Sequence, residues 1–188
     1  IIATEANKSC PNMGKGLASD PKAIADSLIA FARESRHPLI AKLSSDMPCV
    51  EIARILSAYN ATAPVGDRIV AISFNTVPWI NVFPDKRTPL HKLEQRLVRE
   101  AEAAGKKHAA NGGGVSGIPA QKANWKAMRD LIECTENTIP VIGGSMWSYD
   151  DTAQLIAMGC KAISFGSIHI LKPWAPTRWS KRFDRSHA

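Results

Sequence analysis

Six residues near the start of the chain, Asn7-Lys8-Ser9-Cys10-Pro11-Asn12, set a hydroxyl and a thiol between two carboxamides. Carboxamides beside a thiol suit an imide-like ligand, whose alternating N–H and C=O groups need both acceptors and donors. The same residues also fit a plain turn held by Asn side chains around an inert cysteine. Lys42 follows the apolar run Leu39-Ile40-Ala41. A lysine emerging from an apolar strand needs an anionic or electron-rich partner to offset its desolvation, and a structural ion pair meets that need as well as a ligand does. Asn75 and Thr76 again put an amide and a hydroxyl directly after an apolar run. Three glycine-rich turns complete the set: Asn111 to Gly117, containing Gly113, Gly114 and Ser116; Gly143-Gly144-Ser145; and Gly166-Ser167. Glycine lets backbone N–H groups approach a ligand closely, so these turns suit a phosphate, although ordinary strand-to-helix turns use the same residues. None is a nucleotide-binding P-loop, because no G-K-[ST] follows.

These residues need elements to position them, and the apolar pattern supplies a repeating one. Asp20-Pro21 provides an N-cap and first-turn pair for a helix over 23–34, with Ile24, Leu28, Ile29 and Ala32 on one face. His37-Pro38 ends it, and a buried strand over 39–41 leads into Lys42. A helix follows Pro48, a strand runs over 68–74, and a longer excursion over 78–114 contains a helix at 91–107. A helix over 119–134 precedes a strand at 140–142, a helix capped by Ser148 runs to Met158-Gly159, and a last strand covers 162–165. Short apolar strands alternating with amphipathic helices argue for parallel βαβ units, in either a doubly wound sheet or a (β/α)8 barrel. Each strand runs into polar or Gly residues at its C-terminal end (Asn7, Lys42, Asn75, Gly143, Gly166), where barrels place their chemistry. Five such units fall short of a barrel's eight, and the chain opens inside an apolar strand without Met. A truncated barrel, rather than a smaller open fold, is the expectation.

Composition narrows the class. At 188 residues the chain suffices for one domain that hides roughly 70% of its unfolded surface, and 45% hydrophobic with 22% charged residues excludes disorder. No window approaches the ~18 unbroken apolar residues of a membrane span, and the N-terminus lacks a signal-peptide pattern, so a cytoplasmic location is expected. Cys10, Cys49, Cys134 and Cys160 form no C-x-x-C pair, which removes zinc and dithiol readings. The net charge of +7 gathers between Lys86 and Lys107 and in a basic tail over 172–188. Basic stretches of this kind read as solvated faces, and no nucleic-acid partner is expected.

Taken in order, N-x-S-C-P-N, A-K-L, N-T-V, G-G-V-S-G, I-G-G and F-G-S resemble the dihydroorotate dehydrogenase family, including the related flavin domain of dihydropyrimidine dehydrogenase. The resemblance spans Asn7 to about Ile168. It implies a (β/α)8 barrel carrying FMN at its C-terminal rim, of which this chain holds roughly strands four to eight as a single catalytic domain. By the same resemblance Cys10 matches the catalytic base, and Asn7, Asn12, Asn75 and Thr76 match substrate-binding residues. Lys42 matches the flavin-contacting lysine, and Gly113, Gly114, Ser116, Gly143, Gly144, Gly166 and Ser167 match the flavin and phosphate loops. The chain departs from the family in three respects. A second flavin-side lysine and a further substrate asparagine lie upstream of N-x-S-C-P-N in family members and are not in this sequence. The I-G-x-G-G-I turn is shortened to Ile142-Gly143-Gly144-Ser145, and the stretch over 78–89 matches poorly.

The implied reaction is oxidation of dihydroorotate to orotate in pyrimidine biosynthesis: the Cys base takes the C5 proton while the C6 hydride passes to flavin N5. The expected partners are a small-molecule dihydropyrimidine and at most a second copy of the chain, with no membrane. Two other readings stand beside it. One is a uracil- or thymine-type redox enzyme, and the other a barrel that binds a phosphate ligand without flavin. Cys10 is expected to be the reactive thiol, with Cys49, Cys134 and Cys160 in small apolar packing roles.

Overall fold

The computed structural model describes residues 2–9, 20–74, 77–85, 87, 89–105, 114–136 and 138–187. Cys10, Asn12, Asn75, Thr76 and Gly113 lie outside the described residues. In chain order the elements are β1 (Thr4–Asn7), α1 (Pro21–Glu34), β2 (Leu39–Leu43), α2 (Cys49–Thr62), β3 (Ile69–Phe74), β4 (Val77–Pro78), α3 (Trp79–Val82), α4 (Pro89–Ala103), β5 (Gly114–Val115), α5 (Ile118–Thr135), β6 (Val141–Gly143), α6 (Tyr149–Met158), β7 (Ala162–Ile163), α7 (Ile168–Leu171) and α8 (Ala175–His187).

Local sequence accounts for the helix ends. The Asp20 carboxylate accepts from the Lys22 N–H at 2.9 Å with Pro21 in the first turn, which satisfies one of the orphan donors of α1. Ser148 and Asp151 form a reciprocal capping box at the start of α6, and Gly159 closes that helix at φ 112°, a left-handed conformation that glycine takes without strain. The apolar faces then meet. Leu28 of α1, Ile52 and Leu56 of α2, Met128 and Leu131 of α5 and Leu155 of α6 are all buried in one core with Leu39, Leu43, Ile72 and Val141 from the strands.

The main sheet runs β1-β2-β3-β6-β7, and every pairing in it is parallel. This order separates the two architectures that the alternation alone left open. A doubly wound sheet reverses its strand order at a switch point, whereas barrel strands lie side by side in chain order. Here the order never reverses, so the five strands form a barrel segment with all C-terminal ends on one rim. Register fixes what faces inward. Asn7 stands opposite Lys42, and Lys42 opposite Ser73. Side chains alternate along a strand, so Glu5, two residues before Asn7, shares that face, while Ala6, Ala41 and Ile72 turn toward the helices.

The excursion between β3 and α5 is more structured than its sequence suggests. β4 pairs antiparallel with β5, and Val77 and Val115 from this ribbon bury with Ala120 against Trp79, Val82 and Phe83. Two-residue strands, one containing Pro78, carry no periodic signal, because proline breaks the strand pattern. The basic tail over 172–188 likewise forms a helix for much of its length. Trp179 of α8 packs on the main core, its ring 6.1 Å from that of Phe165, and the Arg182 guanidinium sits 3.9 Å above the Tyr149 ring of α6. Among the described residues no helix is long and apolar enough to cross a membrane.

Candidate functional site at the strand ends

A cavity of about 300 Å³ opens where the strands of the main sheet end. β1 contributes Glu5, β2 Lys42, and β3 Ser73 and Phe74. The turn after β5 contributes Ser116 and Gly117, the turn after β6 Ser145 and Met146, and the turn after β7 Ser164 to Ser167. Hydroxyls from five serines and one ammonium group dominate the lining. Such a set donates hydrogen bonds in many directions and suits an oxygen-rich anion joined to a polar ring.

Lys42 is the cationic centre of this site. Its side chain is 17% exposed and its Nζ lies 3.2 Å from Glu5 Oε1. The second carboxylate oxygen, Glu5 Oε2, accepts from Ser73 Oγ at 3.1 Å. Three neighbouring strands therefore share one hydrogen-bonded unit. This answers the desolvation argument for a strand lysine with a specific partner that the sequence reading did not name. The signal was available: Glu5 precedes Asn7 by two positions, so strand alternation sets both on one face next to the strand that carries Lys42.

Asn7 has a structural task. Its Oδ1 accepts from both the backbone N–H and the hydroxyl of Ser9, at 3.0 and 2.7 Å. This is an Asx turn that occupies the acceptor half of the amide, and Asn7 is not among the residues that line the cavity. The turn fixes the direction in which the chain leaves β1 toward Cys10.

The glycines divide by role. A methyl group added at Gly166, on the cavity wall, would meet nothing within 4 Å, whereas one at Gly143 would lie 3.1 Å from Leu155 and Ile163. Gly166 thus leaves room in the cavity, and Gly143 permits close packing of β6 on α6. Gly144 sits tightly beside Ser164, and its carbonyl accepts from Trp125 Nε1 at 3.0 Å. Gly114 lies in β5 and is exposed, while Ser116 and Ser167 line the cavity. Ser145 takes φ 58°, a left-handed conformation costing on the order of 1 kcal/mol in a residue with a side chain. Asn124, fully buried on α5, holds it there by donating Nδ2 to Ser145 Oγ at 2.7 Å. Sequence reasoning missed Glu5, Ser73, Ser164 and the Asn124–Ser145 tie, since lone polar residues within apolar segments give no motif.

The other thiols are distinguished by burial. Removal from solvent, with the Asp46 charge adding to it, pushes the Cys49 thiol up to about 12, and its Sγ donates to the Ser44 carbonyl at 3.4 Å. Burial pushes the Cys160 thiol up to about 11. Cys134 differs from the packing role expected of it: it is exposed on α5. Iodoacetamide at pH 8 should therefore label Cys134 in the folded protein and reach Cys49 and Cys160 only after denaturation, as read by peptide mass spectrometry. Cys49 reacting as fast as Cys134 would contradict this account.

Parallel strands in chain order, with a hydroxyl-rich cavity and one lysine at their C-terminal ends, define a segment of a (β/α)8 barrel with its site in the usual place for that class. Named relatives show what this segment is similar to. The chain is 31% identical over 184 residues to a Solibacter usitatus protein carried under the name dihydroorotate dehydrogenase A (fumarate), covering 95% of this chain and 52% of that protein. It is 26% identical to an Aquifex aeolicus protein of the same name, and 25% identical to the catalytic subunit of dihydroorotate dehydrogenase B (NAD(+)) from Latilactobacillus sakei. A solved dihydroorotate dehydrogenase from Eimeria tenella, in complex with ferulenol, superposes with a TM-score of 0.64 at 17% identity, over 95% of this chain and 48% of that one. No family model matches. The chain is thus dihydroorotate dehydrogenase-like along nearly its whole length, and it spans about half the length of the curated relatives it matches.

Proposed function

We propose that the chain carries the substrate- and flavin-binding rim of an FMN-dependent dihydroorotate dehydrogenase, oxidising dihydroorotate to orotate in pyrimidine biosynthesis. The observation that carries this reading is the convergence of Lys42 with the Gly and Ser turns after β6 and β7 on one cavity. The donor set fits FMN: hydroxyls and a side-chain-free wall at Gly166 suit the phosphate and ribityl chain, and one ammonium suits the electron-rich edge of the ring. Lys42, Ser116, Gly166 and Ser167 would hold it, with Gly143 and Gly144 at the end of β6 and the glycines Gly113 and Gly114 preceding Ser116 in the sequence.

The chemistry supplied by bound FMN is acceptance of the hydride leaving substrate C6. The chain's own residues do the remainder. The Cys10 Sγ removes the C5 proton, which is only weakly acidic, so the base must be held in contact with it. Asn7, Asn12, Asn75 and Thr76 orient the ring, and that orientation supplies much of the rate. The Lys42 ammonium offsets negative charge that accumulates as electrons leave the substrate.

Protein expressed from the full reading frame in which this chain lies should be yellow, with a band near ~450 nm that bleaches on anaerobic addition of dihydroorotate as orotate accumulates. Protein that stays colourless after incubation with FMN refutes the proposal in favour of a phosphate-ligand barrel. Bleaching by dihydrouracil and not by dihydroorotate would reassign the substrate to the uracil class. The matched relatives name two acceptors, fumarate and NAD(+), so the acceptor forms no part of the proposal.

A further inference from the structure

Within the cavity wall Lys42 is the one cation and Glu5 the one anion among the described residues. They are 3.2 Å apart, and both carboxylate oxygens of Glu5 are engaged, one by Lys42 and the other by Ser73. Two consequences follow from elementary electrostatics. The long, flexible lysine stem is held in one place by a carboxylate that β3 in turn holds, which removes the entropic cost of fixing it when a ligand arrives. The charge that the pair presents to the cavity is also close to zero instead of +1, while an ammonium retains two further N–H donors for a ligand.

We infer that Glu5 is a positioning residue that attenuates the positive charge Lys42 presents to the bound flavin, and so lowers the flavin's reduction potential. The inference rests on the proposed FMN site. A lone lysine at the electron-rich edge of the ring favours the reduced, anionic form and draws electrons from substrate; a carboxylate on that lysine restrains the effect, leaving a reduced flavin better able to pass electrons on. Ser73, donating to the second carboxylate oxygen, keeps Glu5 in place against Lys42.

The test uses flavin-loaded protein from the full reading frame, equilibrated anaerobically against a reference dye. Glu5→Gln keeps the shape and an acceptor for Lys42 but removes the charge. It should shift the equilibrium about tenfold toward reduced flavin, which is ~30 mV in the positive direction for a two-electron couple. Glu5→Asp, which retains the charge, should stay within about twofold of the parent, and Lys42→Met should move the equilibrium the opposite way from Glu5→Gln. A Glu5→Gln protein whose potential is unchanged or more negative overturns the inference. So does loss of flavin from both Glu5 variants with an intact circular dichroism spectrum, because Glu5 would then be a scaffold residue. A parent protein that binds no FMN overturns this inference together with the reading it rests on. Flavin retention with a Lys42→Met effect, but none from Glu5→Gln, overturns this inference alone.

Discussion

Replacement of Cys10 by Ala in the flavin-loaded protein is expected to reduce steady-state oxidation of dihydroorotate by at least ~10²-fold, the range a positioned general base contributes. The visible flavin band should be unchanged. The expectation joins the resemblance to the geometry around the segment. Asn7 and Ser9 lock an Asx turn at the end of β1, and the Lys8 N–H donates to the Lys42 carbonyl at 2.8 Å, so residues 7–9 are held beside the strand that carries Lys42. No other cysteine can take over. Cys49 and Cys160 are buried, and their thiols are held protonated far above neutral pH. Cys134 is exposed on α5, an element that contributes nothing to the lining of the cavity. Anaerobic stopped-flow reduction separates chemistry from binding: the rate of bleaching should collapse while the flavin content does not. Turnover within about twofold of the parent would exclude Cys10 as the base.

The parts of this site that could be read from the sequence are those fixed by neighbours along the chain. Asp20-Pro21 and Ser148 marked helix starts because capping is a matter of two or three adjacent residues. The five strands were visible as apolar runs ending in polar or Gly residues, and their C-terminal ends indicated the rim. Strand order was not visible, because adjacency of β3 and β6 depends on contacts across some 70 residues and leaves no local pattern; only the observed order β1-β2-β3-β6-β7 distinguishes a barrel segment from a doubly wound sheet. Strand alternation put Glu5 on the face of Asn7, but its pairing with Lys42 and Ser73 joins three strands far apart in sequence and needed the observed strand order and register. Glycine was the least specific signal. Gly143 and Gly166 look alike after their strands, yet one serves helix packing and the other leaves space in the cavity, and only the surroundings of the absent side chain tell them apart.

The 188-residue chain expressed by itself is expected to self-associate and to hold FMN at well below one per chain. The argument starts at the sheet margins. In the described sheet β1 pairs only with β2 and β7 only with β6, so each leaves one flank of backbone N–H and C=O groups without a strand partner, where a closed barrel has none. Apolar side chains lie bare in the segments that flank the two edge strands in sequence: Ile2, 95% exposed, just before β1, and Ile170, Leu171 and Trp174 after β7, each more than half exposed. Unpaired edges beside exposed apolar groups recruit other chains. The cavity is affected at the same time, because among the described residues the five strands do not close a ring around it. Size-exclusion chromatography with light scattering should show oligomers. Co-expression with the half of a relative's barrel that this chain does not match should convert them to a defined one-to-one complex that retains flavin. A monomeric, stoichiometrically yellow chain that unfolds in a single cooperative step would instead mean that the five βα units close their own edges and form a self-sufficient fold, and the barrel reading of the cavity would fall with that result.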